Sequence, residues 1–366
     1  MIRVIVALLL MCFALHSARA VEDIQNAVFV SIAGSTAVTL IDPDNDTVEG
    51  TLDVGLVPRQ IELSSSLGKL VVIDGETARL DLVDLAGRTI REIKLDLVPG
   101  RVAISTDGLT IALADLTGGR VVLIDLLSSK QLGFVDGLPA LRDMVFSVNN
   151  GALYLSGARP GAIDVIDVTT GRLANSIATG LPGGSRALTR TANGQRLFVQ
   201  SDGDGGVGVL DLEHAAPLIP IDTGPGSTAA FPSASGSFVL IADNQRETLT
   251  VVRQSTHVAP MVLPSDSGVR TIYATWFDTV ALLPSETERE VSIYDLEAQS
   301  LLKKISLDGA PGRGVVTPDG QKLYLPLSET NEIAVVDARR QRLAATIRVA
   351  GNPASVVMAG GYGLCH

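Results

Sequence analysis

A short apolar segment that ends in a carboxylate recurs eight times along the chain, and this repeat constrains the fold more than any other feature. The last residue of each segment is called here the repeat anchor. The eight anchors are Asp42, Asp84, Asp125, Asp167, Asp211, Arg253, Asp295 and Asp337. Successive anchors are 42, 41, 42, 44, 42, 42 and 42 residues apart. A period of this length is typical of propellers and solenoids, in which each unit is completed by its neighbours.

Each repeat has the apolar pattern of β-strands rather than helices. In residues 100–138 the sequence predicts four strands separated by turns, and these are Arg101–Ser105, Leu109–Ala114, Arg120–Asp125 and Gln131–Val135. No stretch after the N-terminal segment keeps a 3.6-residue period over three turns, which argues against a helical solenoid. Four antiparallel strands in about 42 residues are typical of one propeller blade.

The two ends of the repeat array predict how the ring closes. The array enters at a strand of the second type, Ala27–Ile32, without a first strand before it. At the other end, Pro353–Ala359 has the pattern of a first strand with no successor. Pairing these two segments would leave no free inner sheet edge. The sequence therefore predicts an all-β protein, a closed eight-bladed β-propeller whose first blade is completed by the C-terminal strand, over residues 21–366.

The repeats also resemble a known family. The stretch from Gly312 to Leu325, GRGVVTPDGQKLYL, and the segment Ile333–Asp337 are similar to the bacterial YVTN-type propeller repeat. Such repeats occur in exported surface-layer proteins, in amine-dehydrogenase propellers and in proteins similar to the haem d1 domain. The resemblance implies a propeller fold and a location outside the cytoplasm, but it implies no particular reaction.

The N-terminus has the pattern of a signal peptide. Arg3 is followed by an apolar run from Val4 to Leu15 and then by Ala18-Arg19-Ala20, a small-x-small cleavage pattern. Twelve apolar residues are too few to cross a bilayer, which needs about 20. We expect residues 1–20 to be removed, so that the mature protein is periplasmic or secreted. No later segment is apolar for long enough to span a membrane.

The charge balance excludes nucleic acids and anionic membranes as general partners. The chain has 29 Lys and Arg against 40 Asp and Glu, a formal charge of −11. Loss of Arg3 and Arg19 with the signal would leave 27 basic residues and a charge of −13. An acidic protein is repelled by both kinds of polyanion.

The sequence gives only weak indications of a metal or cofactor site. Cleavage would remove Cys12 and leave Cys365 as the only thiol, which excludes an intrachain disulfide. Cys365 and His366 are adjacent and could bind copper, zinc or haem iron, but two neighbouring ligands do not make a site. Because they end the chain, a frayed tail is the favoured interpretation, and the identity of any cofactor stays open.

Most of the repeats share an arginine that packing of the blades does not require. Six arginines lie 17 to 19 residues after their anchors, and they are Arg59, Arg101, Arg142, Arg186, Arg270 and Arg313. Thr228 and Ala354 stand at the matching position in the other two repeats. In a propeller these positions would surround one mouth of the central channel. Such an arginine ring could bind a ligand with several carboxylates or phosphates, since each guanidinium binds bidentately.

The alternative is structural pairing of each ring arginine with an acid of an adjoining loop. The candidate acids are Asp74, Glu76, Asp115, Asp202, Asp243, Glu286 and Glu329. The anchor aspartates have a different expected role, because an Asp at the end of a strand accepts backbone N–H bonds in the turn that follows. Trp276 and Phe277, at the end of a predicted first strand, are interpreted as core residues.

Two functions remain open. The first is a non-enzymatic periplasmic binding or scaffold propeller whose mouth receives an anionic small molecule or an acidic segment of a protein partner. The second is an enzyme or cofactor-handling protein of a redox pathway that holds haem d1 or a quinone. The chain lacks a C-x-x-C-H haem-attachment motif, a G-x-S-x-G elbow and a P-loop. No catalytic residue can be nominated, and the non-enzymatic role is favoured.

Overall fold

A computed structural model describes residues 24–157, 159–203, 206–254, 259–275 and 277–361. It contains a short 3₁₀ helix at Ile24–Asn26 and eight antiparallel four-stranded sheets, which are the blades of one ring. Blade 1 consists of β1 (Val28–Ile32), β2 (Ala37–Asp42), β3 (Thr47–Asp53) and β32 (Pro353–Met358). Blade 2 consists of β4 (Gln60–Ser64), β5 (Lys69–Ile73), β6 (Arg79–Asp84) and β7 (Thr89–Lys94). The innermost strand is β4 in blade 2 and β32 in blade 1.

The remaining blades repeat the same order from the inside outward. Blade 3 has β8 (Arg101–Ile104), β9 (Thr110–Asp115), β10 (Arg120–Asp125) and β11 (Lys130–Val135), and blade 4 has β12 (Leu141–Phe146), β13 (Ala152–Gly157), β14 (Ala162–Asp167) and β15 (Arg172–Ala178). Blade 5 has β16 (Ser185–Arg190), β17 (Arg196–Ser201), β18 (Val207–Asp211) and β19 (Ala216–Pro217), and blade 6 has β20 (Phe231–Pro232), β21 (Phe238–Asp243), β22 (Thr248–Arg253) and β23 (Met261–Pro264). Blade 7 has β24 (Tyr273–Thr275), β25 (Val280–Ser285), β26 (Glu290–Asp295) and β27 (Ser300–Ser306), and blade 8 has β28 (Val315–Val316), β29 (Lys322–Leu327), β30 (Glu332–Asp337) and β31 (Arg342–Arg348). The predicted fold class is confirmed. The four strands predicted in residues 100–138 match blade 3 to within one residue at every end.

Burial explains why the second and third strands of each blade are so continuously apolar. Along β5 and β9, four successive residues are buried, because both faces of the strand contact neighbouring blades. One core cluster joins Phe29 and Leu40 of blade 1 to Leu70 and Val72 of blade 2. The outermost strands, such as β7, are largely exposed. Each interface between blades is therefore a separate hydrophobic core of the kind that holds a repeat protein together.

The C-terminal strand closes the ring as predicted. β32 pairs antiparallel with β1, and Val28 lies opposite Met358 while Val30 lies opposite Val356. Val356 is 2% exposed, and it packs in a cluster that spans blades 8 and 1. The Ser31 and Ser355 hydroxyl oxygens are 2.7 Å apart within this pairing. The first blade is thus built from both ends of the repeat array.

The expected role of the anchor aspartates is confirmed. Each of them accepts a backbone N–H bond from a residue two or three positions further on, within the turn before the outermost strand. The bonded pairs are Asp42–Asp44, Asp84–Gly87, Asp125–Ser128, Asp167–Thr170, Asp211–Glu213, Asp295–Ala298 and Asp337–Arg340. The eighth anchor, Arg253, is not an aspartate. Its guanidinium donates a hydrogen bond to the Glu297 carboxylate at 3.1 Å and lies over the Phe238 ring.

The interpretation of Phe277 as a core residue is wrong. Its side chain is 83% exposed, and the residue has a positive φ of 55° in the turn between β24 and β25. The inner strand ends at Thr275, two residues earlier than a core position at Phe277 would require. Trp276 lies outside the described residues. Within the described part of the chain, no helix is long and apolar enough to cross a membrane.

Candidate functional site

The ring arginines all lie at the start of an inner strand. Because every blade has the same strand order, these starts meet at one end of the central channel. Arg101 is the first residue of β8, and Arg142 and Arg186 are the second residues of β12 and β16. The other three, Arg59, Arg270 and Arg313, lie one to three residues before β4, β24 and β28. Five of the six side chains are exposed, and that of Arg101 is 25% exposed.

The two positions without arginine open cavities in this mouth. Thr228, in blade 6, lies in the wall of a cavity of about 710 Å³, which we call the Thr228 cavity. Its wall includes the two flanking ring residues Arg186 and Arg270, together with Arg313. The rest of the wall is mostly small or uncharged, with Gln200 and neighbouring loop residues. A small side chain in place of arginine therefore leaves space between two guanidinium groups.

The second gap has the same arrangement on a smaller scale. Ala354, on β32, lines a cavity of about 270 Å³, which we call the Ala354 cavity. The flanking ring residues Arg59 and Arg313 contribute to its wall, and so does Arg101. A third cavity of about 170 Å³ lies between Arg101, Arg186 and Arg313. Arg313 lines all three cavities, whereas Arg142 lines none of them.

Pairing with acids accounts for four of the six arginines. Arg142 and Arg186 both lie 3.2 Å from one Asp202 carboxylate oxygen. Arg270 contacts Glu286 at 2.7 Å. Of the seven acids proposed from the sequence, only these two pair with the ring among the described residues. Several of the others serve elsewhere, as Asp74 and Asp115 accept bonds in their own turns and Glu329 pairs with Arg289.

Arg101 has a partner that the sequence did not reveal. Its guanidinium forms an ion pair with Asp143, a β12 residue that is only 4% exposed. Asp143 also accepts backbone N–H bonds from Met144 and Leu188, each at 2.9 Å. Burial raises the pKa of Asp143, while Arg101 and the two N–H donors favour the ionised form. This pair joins three neighbouring inner strands and is part of the ring's structure.

Arg59 and Arg313 differ from the other four. Neither has an ion pair within 4.0 Å among the described residues, although both are exposed at the mouth. The Arg59 side chain lies against Gly75, where an added Cβ would be 2.4 Å from Arg59 Cδ. Gly75 has a positive φ of 74°, so the turn that supports Arg59 favours glycine on two grounds. The two unpaired guanidinium groups flank the Ala354 cavity.

A buried carboxyl group lies in the wall of the same cavity. Glu62, on β4, is 7% exposed and accepts a hydrogen bond from Gln60 Nε2 at 2.8 Å. Gln60 is fixed in turn, because its amide bonds both the N–H and the C=O of Val102. Burial raises the pKa of Glu62 to about 7, against the opposing effects of Gln60, Arg101 and Arg313. Glu62 therefore titrates near neutral pH.

Metal ligands do not converge within the described part of the chain. No group of three His, Cys, Asp or Glu side chains there could hold a metal ion. Cys365 and His366 lie outside the described residues, so their suggested role in metal binding stays a prediction.

Comparisons with known proteins show the fold alone. No protein-family model matches the chain, and no curated protein matches its sequence. The structure is similar to dihydro-heme d1 dehydrogenase NirN in complex with DHE, with a TM-score of 0.76 and 15% identity over 93% of this chain and 77% of that one. It is also similar to apo AztD from Citrobacter koseri, with a TM-score of 0.69 and 15% identity over 92% and 98% of the two chains. The WD40 domain of Sif2 gives a TM-score of 0.62 at 15% identity over 77% of this chain and 83% of that one. The β-propeller fold is thus shown, and the finer resemblance to YVTN-type repeats stays a prediction.

Proposed function

We propose that this protein is an exported β-propeller that binds an anionic group at its arginine-lined mouth. The observation that carries the proposal is that Arg59 and Arg313 flank the Ala354 cavity without an ion pair among the described residues. Side chains that only braced blades would be expected to contact acids, as Arg142 and Arg270 do. The anion is either a small molecule or an acidic segment of a periplasmic partner.

Electrostatics favours an anionic ligand at the mouth over the rest of the surface. The protein as a whole is acidic, with a formal charge of −11, so its surface repels anions in general. At the mouth, four of the six ring arginines are paired with acids, whereas Arg59 and Arg313 have no ion pair among the described residues and can attract an anion. A guanidinium binds a carboxylate or phosphate through two parallel hydrogen bonds, which adds both strength and directional preference. Export rests on the signal-like N-terminal segment, and the fold shared with NirN and AztD is compatible with a binding or scaffold role.

Replacing Arg59 and Arg313 with Gln should weaken anion binding at least about tenfold, since each charge-assisted bond lost is worth roughly 1.5–3 kcal/mol. The melting temperature should change little, because neither residue pairs with an acid among the described residues. Arg101 and Arg270 are poor choices for this test, because each forms an ion pair with an acid. Replacing either arginine would therefore also affect stability. Binding is measured by calorimetry and thermal shift with oxalate, succinate, citrate, sulfate and phosphate.

The matched control is Arg91→Gln with Arg172→Gln, which removes the same charge from the exposed outermost strands β7 and β15. This control should bind anions like the wild type. If none of the anions raises the wild-type melting temperature, or if the control loses as much affinity as the ring variant, the proposed mouth is refuted. Salt should weaken wild-type binding, because the mouth is open to solvent.

A second candidate function is cofactor handling in a redox pathway. The Thr228 cavity favours it, since about 710 Å³ lies within the range of 300–1,000 Å³ that is usual for sites of cofactor size. NirN, one of the similar structures, was solved in complex with DHE. Absorption spectra of protein purified from its own host would distinguish the two functions. A bound visible chromophore supports cofactor handling, whereas a colourless protein that binds simple anions supports the first function.

A further inference from the structure

The Ala354 cavity suggests what kind of anion the mouth takes and how its binding is controlled. We infer, on the basis of the proposed function, that a small oxyanion or short carboxylate enters this cavity and that Glu62 takes up one proton as the anion binds. Three features of the molecule support this inference, namely the size of the cavity, the availability of its cations and the position of Glu62.

Size limits the ligand. The Ala354 cavity has a volume of about 270 Å³, just below the range of 300–1,000 Å³ that holds larger ligands. Its wall combines guanidinium groups with backbone and apolar side chains, among them Ile61 and Leu116. A macrocycle does not fit into such a space, whereas sulfate or a short carboxylate does.

The cations of this cavity are not equally available. Arg101 is held by Asp143, which is itself buried and fixed by two backbone N–H bonds. Arg59 and Arg313 have no such partner among the described residues, and both reach the cavity from opposite sides of Ala354. An anion between them would gain two guanidinium groups without first displacing a salt bridge.

Glu62 is the acid that an entering anion must meet. All of the elements around it except β32 contribute charged or titratable groups. They are Arg59 beside its own strand, Arg101 on β8 with its partner Asp143 on β12, and Arg313 before β28. β32 contributes only uncharged residues, Ala354 to Val357, to the cavity. Glu62 has no ion pair among the described residues, so it can change charge without disrupting one, and burial raises its pKa to about 7.

Proton uptake by Glu62 follows from repulsion between two negative charges. While the cavity is empty, an ionised Glu62 is a counter-charge for Arg101 and Arg313. A bound anion takes over this role, and two negative groups close together in one small space raise the pKa of the acid further. Glu62 then takes a proton from solvent, and its O–H can donate a hydrogen bond to the anion. No bond other than that to the proton forms or breaks.

The test uses sulfate and oxalate, which stay fully ionised around neutral pH, so that any proton taken up belongs to the protein. Dissociation constants are measured by calorimetry in buffers of different ionisation enthalpy, from about one pH unit below to two units above the Glu62 pKa of about 7. We expect affinity to fall about tenfold per pH unit above that pKa, with an uptake approaching one proton per anion.

Glu62→Gln keeps the acceptor of the Gln60 bond but cannot ionise. It should bind both anions at all pH values as tightly as the wild type does below the pKa, without proton uptake. Glu49→Gln, on the outermost strand β3, should keep the wild-type pH dependence.

The outcomes separate the two proposals. If no anion binds at any pH, the proposed function fails and this inference fails with it. If sulfate or oxalate binds without proton uptake, or if Glu62→Gln keeps the wild-type slope, only the inference is overturned. It is also overturned if bulky polycarboxylates bind with the same proton uptake and much more tightly than sulfate and oxalate, because the cavity would then not select for size.

Discussion

A chain that ends at Gly351 is expected to aggregate or to unfold well below the melting temperature of the full chain. It lacks β32, so the inner edge of β1 and the buried neighbours of Val356 and Val357 become exposed. Each buried valine contributes about 1.5–3 kcal/mol, and an unpaired edge strand invites association with other chains. The expected loss exceeds about 5 kcal/mol, which approaches the whole stability of many domains.

Size-exclusion chromatography and thermal unfolding measure this effect. A chain that ends at Gly361 keeps all of β32 and should behave like the full protein. A synthetic peptide covering residues 352–361 should restore part of the stability of the shorter chain by pairing with β1. If the shorter chain stays monomeric with an unchanged melting temperature, the closure of the ring by β32 does not stabilise the fold.

Arg101→Gln should destabilise the protein by about 3 kcal/mol at neutral pH. The change leaves the Asp143 carboxylate, 4% exposed, without its only cationic partner among the described residues. Removing one member of a buried ion pair typically costs 3–5 kcal/mol, because the other charge stays buried. We place the value at the lower end, since Arg101 is itself a quarter exposed and two N–H donors remain on Asp143.

Two comparisons distinguish this effect from general damage. The double variant Arg101→Gln, Asp143→Asn should recover much of the loss, because no unpaired charge remains. The destabilisation of the single variant should shrink as the pH falls, since burial raises the pKa of Asp143 and its neutral form needs no cation. Urea unfolding at neutral and mildly acidic pH measures both effects. A loss no larger than that of Arg91→Gln would show that the pair is dispensable.

Much of the fold was predictable because the same pattern of strands and turns recurs in eight repeats. The anchor spacing alone implies blades of one size, and the alternation of strands and turns in residues 100–138 matches blade 3 closely. The anchor aspartates were predictable for the same reason, since each makes the same local bond. Phe277 was not, because its exposure depends on where β24 ends, and that strand is shorter than its counterparts in blades 3 to 5.

The candidate site was predictable only in the part that repeats. The ring arginines recur at one offset, whereas Glu62 and Asp143 each occur in one blade and have no counterpart that a search for repetition would detect. Their significance depends on side chains from other blades, since Arg101 contacts Asp143 and both Arg101 and Arg313 act on Glu62. Such contacts depend on how neighbouring blades are arranged around the ring, and this arrangement cannot be derived from the local sequence. A charged side chain between Ile61 and Leu63 in the inner strand β4 was the one available signal for Glu62.

The shared first blade has a consequence for the order in which the molecule can assemble. Ser31 and Ser355 are bonded across 324 residues of chain, so the contact that closes the ring can form only after the last repeat has been made. Blades 2 to 8 consist of consecutive strands and can pair as they emerge, but the edge of β1 must wait. Contacts between such distant residues are slow to form, and exposed strand edges are prone to misassembly during that time. β1 can therefore pair with β2 early, but its inner edge is the last to gain a partner. Protection of that edge during synthesis is a requirement that this architecture imposes on the cell.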